Sequence, residues 1–216
     1  MPGLLDLLSD EERRRVWAGM RRRKFASGQT IFHEGDLGDT LHVIDRGHVA
    51  VRVVTDRGDV ATLAVLGRGQ TFGELALLGP GSRRSASVTC LDDVETLSME
   101  AARYEELRAS HPEVARFVVQ ALAEQVRLTT ERLVEALYVP AEQRVLRRVA
   151  ELALLYAKDD TPVEVRVTQD DIATMAGTTR STANRVLKAA EADGLLALRR
   201  GAIVVVDQPQ LARRGR

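Results

Sequence analysis

The chain has 216 residues, 44% hydrophobic and 29% charged, with 31 Lys plus Arg against 31 Asp plus Glu. That is enough for one large domain or two small ones, and a net charge of zero means that any basic surface must be local. One cysteine, Cys90, excludes an internal disulfide and a multi-cysteine metal site and suits a cytoplasmic setting; no apolar run approaches the ~20 residues of a membrane span.

The N-terminal run MPGLLDLLSDEERRRVW has an apolar start followed by acids and arginines. It lacks the basic start, long apolar core and cleavage site of a secretory signal, and it reads as a short amphipathic helix that includes Trp17. Residues of about 25–100 then alternate short β-branched runs (GQTIF, TLHVI, HVAVRVV, VATLAVL, SASVTCL, VETLSM) with turn signals such as EGDLGD and GRGQ. This spacing predicts an all-β barrel or sandwich. Within it, FGELALLGPGSRRSASV places Glu74 a short loop ahead of Arg83, Arg84 and Ser85. The stretch suits either a polar surface loop or a seat for a ligand that carries hydroxyls and a phosphate.

From His111 to Leu137 the period becomes helical, with Val114, Phe117, Val118, Ala121, Leu122, Leu128, Leu133, Ala136 and Leu137 recurring over roughly seven turns. The apolar stripe is broad enough for two partners, the β domain and a second copy of the same helix; the plainer alternative is that it lies wholly against its own domain. Pro140 interrupts, and the domain boundary is expected near Tyr138–Pro140.

VTQDDIATMAGTTRSTANRVLKAAEADGL then carries a helix-turn-helix pattern. Thr168 with Asp171 has the form of a capping box, Gly177 supplies the turn, and Thr178 or Thr179 caps the second helix. Ile172, Met175 and Ala176 face inward from the first helix, Ala183, Val186 and Leu187 from the second. Arg180, Ser181, Asn184 and Arg185 share the opposite face, where arginine forks suit guanine edges and serine or asparagine suits bases or phosphates. The alternative is an ordinary helical hairpin with a charged, solvated face. GLLALRRGAIVVVD reads as two strands around Arg199–Gly201, a wing whose arginines can touch phosphate. The DNA-binding set expected here is Thr168, Thr179, Arg180, Ser181, Asn184, Arg185, Lys188, Arg199 and Arg200. The four histidines, His33, His42, His48 and His111, read as surface or turn residues, Cys90 as a small apolar filler on a strand, and no catalytic constellation or metal site stands out. ARRGR reads as a short basic tail.

Four runs together, GQTIFHEGDLGDTLHVIDRGHVAV, FGELALL with RRSASV, the long helix, and TQDDIATMAGTTRSTANRVL, give nearly the whole chain a resemblance to the Crp–Fnr family of bacterial transcription regulators. The resemblance implies an α+β chain: a jelly-roll-like, cyclic-nucleotide-binding β-roll over residues 1–110, a dimerisation helix over 111–138, and a winged helix-turn-helix over 139–216. It implies a homodimer that binds palindromic DNA, works with RNA polymerase and is not an enzyme. The effector implied is cAMP, without a metal; the alternative is a member that is active without cyclic nucleotide or takes another effector. GEL with RRSA is similar to the family's phosphate-binding cassette, which puts Gly73, Glu74, Leu75, Arg84, Ser85 and Ala86 around sugar and phosphate. A carboxylate such as Glu74 accepts from a ribose hydroxyl, and Arg84 pairs with phosphate oxygens. Arg83 is the rival anion ligand; Arg84 is preferred because Ser85 and Ala86 follow it directly. Thr129 and Thr130 match the positions that meet the base. One turn earlier, where the family has an arginine, this chain has Gln125, and Arg127 lies on another face. Arg180 and Arg185 match guanine-reading positions, with Ser181 in place of the family's frequent glutamate, so a related but altered half-site is expected.

Overall fold

The computed structural model describes residues 11, 14, 17–77, 79, 81–157 and 162–215. The N-terminal amphipathic helix expected from the sequence lies largely outside them. The chain forms two compact units, one of described residues up to Val53 with Leu66–Thr129, the other of Val54–Val65 with Thr130–Arg216.

The strands of the first unit lie in two antiparallel sheets. One has the order β1 (Arg21–Phe25), β8 (Val94–Glu100), β3 (Thr40–Arg46), β6 (Thr71–Phe72). The other has the order β2 (Thr30–Phe32), β7 (Ser87–Cys90), β4 (Val49–Val54), β5 (Val60–Leu66). Ile44, Val49, Phe72, Val88, Cys90 and Val94 form one buried cluster of this unit. A second cluster joins Leu41, Val43 and Met99 to α1 (Ala101–Ser110) and α2 (Pro112–Tyr138) through Tyr104, Leu107, Val114, Phe117 and Val118. Strand β3 serves both clusters, Leu41 and Val43 in one and Ile44 in the other, so Thr40 to Ile44 are all buried and the usual in–out alternation disappears.

Two strands of this unit escape hydrophobic patterning. Strand β1 is RRRKF, exposed over its first four residues; it pairs with β8 through backbone bonds while Arg22 and Lys24 flank Glu95 at 2.8 and 3.1 Å. Strand β6 is only two residues long.

In the second unit α3 (Ala141–Tyr156), α4 (Gln169–Met175) and α5 (Arg180–Ala192) pack around Val145, Val149, Ile172, Ala173, Ala183 and Leu187, all buried. The capping box forms: Thr168 accepts from the Asp171 N–H at 3.1 Å, and Asp171 accepts from the Thr168 N–H at 2.8 Å. Residues 54–65 join this unit, with the Thr62 hydroxyl donating to Asp171 at 2.6 Å. Thr179 caps α5, accepting from the Thr182 N–H at 3.2 Å.

Two features add to the sequence expectations. The expected strand pair, β10 (Leu196–Arg199) and β11 (Ala202–Val205), gains a third strand, β9 (Val163–Val165), in the order β10-β11-β9. Most of the basic tail is helical: Gln208–Arg214 form α6, capped by Asp207 and anchored by fully buried Leu211. The lone Leu211 among polar residues gives too weak a periodic signal to show this.

Candidate functional site

The centre of the first unit's site is the meeting of β6, the 3₁₀ turn Glu74–Leu77 and the segment entering β7. Gly73 sits at φ +80°, a conformation that disfavours residues with a Cβ. A Cβ here would also lie 2.7 Å from Arg84 Nη1 and 2.8 Å from the Thr40 carbonyl oxygen, so only glycine fits. Arg84 is 7% exposed. Its Nη1 donates to the Thr40 carbonyl at 2.8 Å and, more weakly, to the Gly73 carbonyl at 3.3 Å; its Nη2 donates to the Thr40 hydroxyl at 2.8 Å. The guanidinium lies over the Phe32 ring, 4.0 Å from its centroid. The Nε–H is buried and has no acceptor among the described residues, an arrangement that costs free energy until an acceptor arrives.

The charges follow from the burial. Burial lowers the pKa of Arg84, while Asp39, Asp36 and Glu74 oppose the shift; an arginine stays cationic under such shifts. Burial holds the Glu74 carboxyl above the usual carboxylate range, with the attraction of Arg84 pulling the other way. Glu74 and Arg84 are therefore close enough to feel each other's charge, and Gly73, which directly precedes Glu74, accepts from Arg84 through its carbonyl.

The two arginines of the cassette diverge. Arg83 is exposed and donates to the Gly35 carbonyl at 2.7 Å, whereas Arg84 turns in toward Gly73. Ala86 is buried, Ser85 exposed and Leu75 39% exposed. Thr129 and Thr130 are exposed on α2, where the Thr129 hydroxyl donates to the Gln125 carbonyl at 2.8 Å, and Arg127 is held by Glu124 at 2.6 Å.

One histidine departs from the expectation. His42 is not a surface or turn residue but 2% exposed in β3, stacked on Phe72 at 4.9 Å and edge-on to Phe25. Burial, with Arg84 nearby, pushes its pKa down to about 3, so the ring is neutral. Its place inside the apolar run TLHVI is the signal that sequence reasoning had available. Among the described residues no group of histidine, cysteine and carboxylate side chains is placed to hold a metal ion.

In the second unit, α5 presents Arg180, Ser181, Arg185 and Lys188 to solvent, with Asn184 half-buried. Arg180 pairs with Asp170 at 3.0 Å and Arg185 with Glu142 at 2.7 Å. Both pairs are exposed, so each contributes little and yields readily to a phosphate or base edge. Asn184 donates to the Gln169 side chain. Arg199 and Arg200 lie exposed at the wing turn, Arg199 3.6 Å from Glu164. Arg144 has no counterpart among the sequence expectations. It donates to the Val139 carbonyl at 2.6 Å and to the Ala176 and Gly177 carbonyls at 2.7 and 3.0 Å, tying the segment after α2 to the turn before α5.

Comparison with known proteins assigns both regions. Residues 22–111 match the family model of the cyclic nucleotide-binding domain, and residues 143–214 match the Crp-like helix-turn-helix domain. The chain is 30% identical to the CRP-like cAMP-activated global transcriptional regulator of Mycobacterium tuberculosis over 195 residues, 89% of this chain and 87% of that one. It is 33% identical to the cyclic AMP receptor protein of Thermus thermophilus over 198 residues, 92% and 89% of the two chains. Among solved structures, the c-di-GMP-responsive global regulator CLP of Xanthomonas campestris superposes with a TM-score of 0.75 at 22% identity, covering 92% of this chain and 99% of that one, a likeness of fold.

Proposed function

The chain belongs to the Crp–Fnr family, as a DNA-binding transcription regulator with a cyclic nucleotide-binding domain and not an enzyme, and within it we propose a homodimer whose affinity for a palindromic operator is controlled by cAMP. The observation that carries the reading is Arg84: a buried guanidinium with an unpartnered Nε–H, beside Gly73, in a region shared with Glu74. A cyclic phosphate supplies the acceptor, and the ribose hydroxyl supplies a donor to Glu74. Ser85, next to Arg84, adds a hydroxyl donor; Leu75 and Ala86 complete the cassette, and Thr129 and Thr130 meet the base. The cAMP-activated relatives support this choice of base.

Self-association is supported by α2, on which Val119, Val126 and Leu133 recur every seven residues and stay 63%, 65% and 59% exposed. Such a seam is buried by a second copy of the helix. Two recognition helices then reach half-sites about one DNA turn (~34 Å) apart, with RNA polymerase as the further partner and the cytoplasm as the compartment. Ligand acts by binding the DNA-competent state better than the other.

The test is a gel shift on DNA selected from random fragments. Saturating cAMP is expected to tighten operator binding on the order of 5–150-fold, the usual range of such coupling. Unchanged affinity with both cAMP and cGMP would overturn cyclic-nucleotide control and leave a regulator that is active without one or takes another effector. On the same DNA, Arg180→Ala and Arg185→Ala are each expected to cost about 1–3 kcal/mol and relax preference at one base pair. Lys188→Ala and Arg200→Ala should instead weaken all sequences alike and lower the salt slope by about 1. Selected sites with unchanged base preference in both arginine variants would remove α5 from base reading.

A further inference from the structure

We propose that His42 is a positioning residue for Arg84, acting through the Thr40 hydroxyl in a fixed Nε2–H tautomer. This rests on the reading of Arg84 as the anion ligand, but it makes a claim of its own about the protein without ligand.

Donors and acceptors around a single oxygen decide the tautomer. The Thr40 hydroxyl oxygen has three neighbours: Arg84 Nη2 at 2.8 Å, His42 Nε2 at 3.2 Å and Asp39 Oδ1 at 3.1 Å. Arg84 can only donate, and the Asp39 carboxylate can only accept. The one hydroxyl proton of Thr40 therefore goes to Asp39, and two lone pairs remain, one taken by Arg84. The other is filled only if His42 carries its proton on Nε2 and donates. His42 Nδ1 is then an acceptor, and the fully buried Thr96 hydroxyl donates to it at 3.1 Å. One direction of proton donation, Thr96 to His42 to Thr40 to Asp39, satisfies every group and leaves the Thr40 oxygen turned to receive Arg84.

The ring also holds the other side of the site. It lies parallel to Phe72, at 4.9 Å and 0°, and Phe72 is the residue before Gly73. Phe32, which lies under the Arg84 guanidinium, is 5.8 Å from Phe72 and 6.4 Å from His42. His42 thus ties the strand that delivers Gly73 and Glu74 to the oxygen that orients Arg84. A phenylalanine in its place keeps the stacking and loses both hydrogen bonds.

Two readouts on the full-length protein decide the matter. The first needs no ligand. Long-range nitrogen–proton NMR spectra should show His42 as the Nε2–H tautomer, and the Arg84 Nη protons should be resolved by slow rotation of the guanidinium. His42→Phe should lose that resolution, and His42→Gln, whose amide nitrogen donates to Thr40 again, should recover it. If His42→Phe does not fold, Thr40→Val removes the shared oxygen and should give the same loss. An Nδ1–H ring, or Arg84 signals indifferent to these substitutions, overturns the proposal.

The second readout is a titration with the two diastereomers of the phosphorothioate analogue of cAMP, Sp and Rp. A held guanidinium distinguishes the exocyclic oxygens. His42→Phe is expected to weaken cAMP about 10-fold and bring the Sp/Rp affinity ratio close to one, with His42→Gln restoring most of it. A proportional loss for both diastereomers, with the ratio kept, would mean a merely structural role and also overturns the proposal. Failure of the wild-type protein to bind any cyclic nucleotide would instead overturn the proposed effector, and the NMR result would still decide the role of His42.

Discussion

Replacing Arg84 by methionine is expected to weaken cAMP binding by roughly 100-fold or more and to remove the response of DNA binding to the nucleotide. The size follows from what is lost. A buried, charge-assisted pair is worth more than a neutral hydrogen bond, and each ~1.4 kcal/mol is a factor of ten in affinity. The guanidinium cannot be replaced by lysine either. It bridges the Thr40 carbonyl, the Thr40 hydroxyl and the Gly73 carbonyl while its Cζ sits 4.0 Å from the Phe32 ring centroid, and an ammonium has no fork to make those bonds together. Arg83→Met is the matched control. Its guanidinium is exposed and donates to the Gly35 carbonyl, so the change in affinity should stay within about 3-fold. Calorimetric titration measures both variants. Tight binding retained by Arg84→Met, with loss in Arg83→Met, would reverse the assignment.

Acidification is expected to destabilise the protein through His42. The ring has an ordinary pKa of 6.5 in the unfolded chain and about 3 in the folded one, lowered first by burial and then by Arg84 and Arg23, with Asp39 opposing. A depressed pKa means that the unfolded state binds the proton more readily. The contribution to stability is therefore complete above pH 6.5 and is lost as pH falls toward 3. The difference corresponds to on the order of 3–5 kcal/mol across that window, at about 1.36 kcal/mol per unit. Glu95, whose pKa is lowered by its bonds to Lys24 and Arg22, acts in the same direction at lower pH. Urea unfolding of wild type and His42→Phe from pH 7 to 4 isolates the histidine, because a phenylalanine ring cannot titrate. The wild-type curve should fall more steeply; parallel curves would show that His42 is protonated without cost and hence not enclosed as described.

The helix-turn-helix is readable because its instructions are local. Thr168 and Asp171 stand three residues apart, Gly177 supplies a turn at φ +59°, and Ala183, Val186 and Leu187 repeat at helical spacing, so a window of about twenty residues specifies the element. The same holds for the alternating strands and for α2, whose 27 residues carry one sustained period. Strand β1 escapes such reading because its charged side chains face solvent and only its backbone belongs to the sheet; β9 and α6 escape it because three and seven residues carry too little pattern.

What residue order alone established was the helix-turn-helix, the long helix and the alternating strands, since periodicity, caps and glycine turns act over one or two turns of chain. What folding added was which groups are enclosed and with whom. Arg84 finds its oxygen on Thr40, 44 residues away, and His42 finds Thr96 across 54. Neighbours in sequence part company in the same way, Arg83 facing out and Arg84 in. Burial, and with it the charge state of His42 and the unpaired Nε–H of Arg84, depends on partners brought together from distant segments, and no local pattern encodes that.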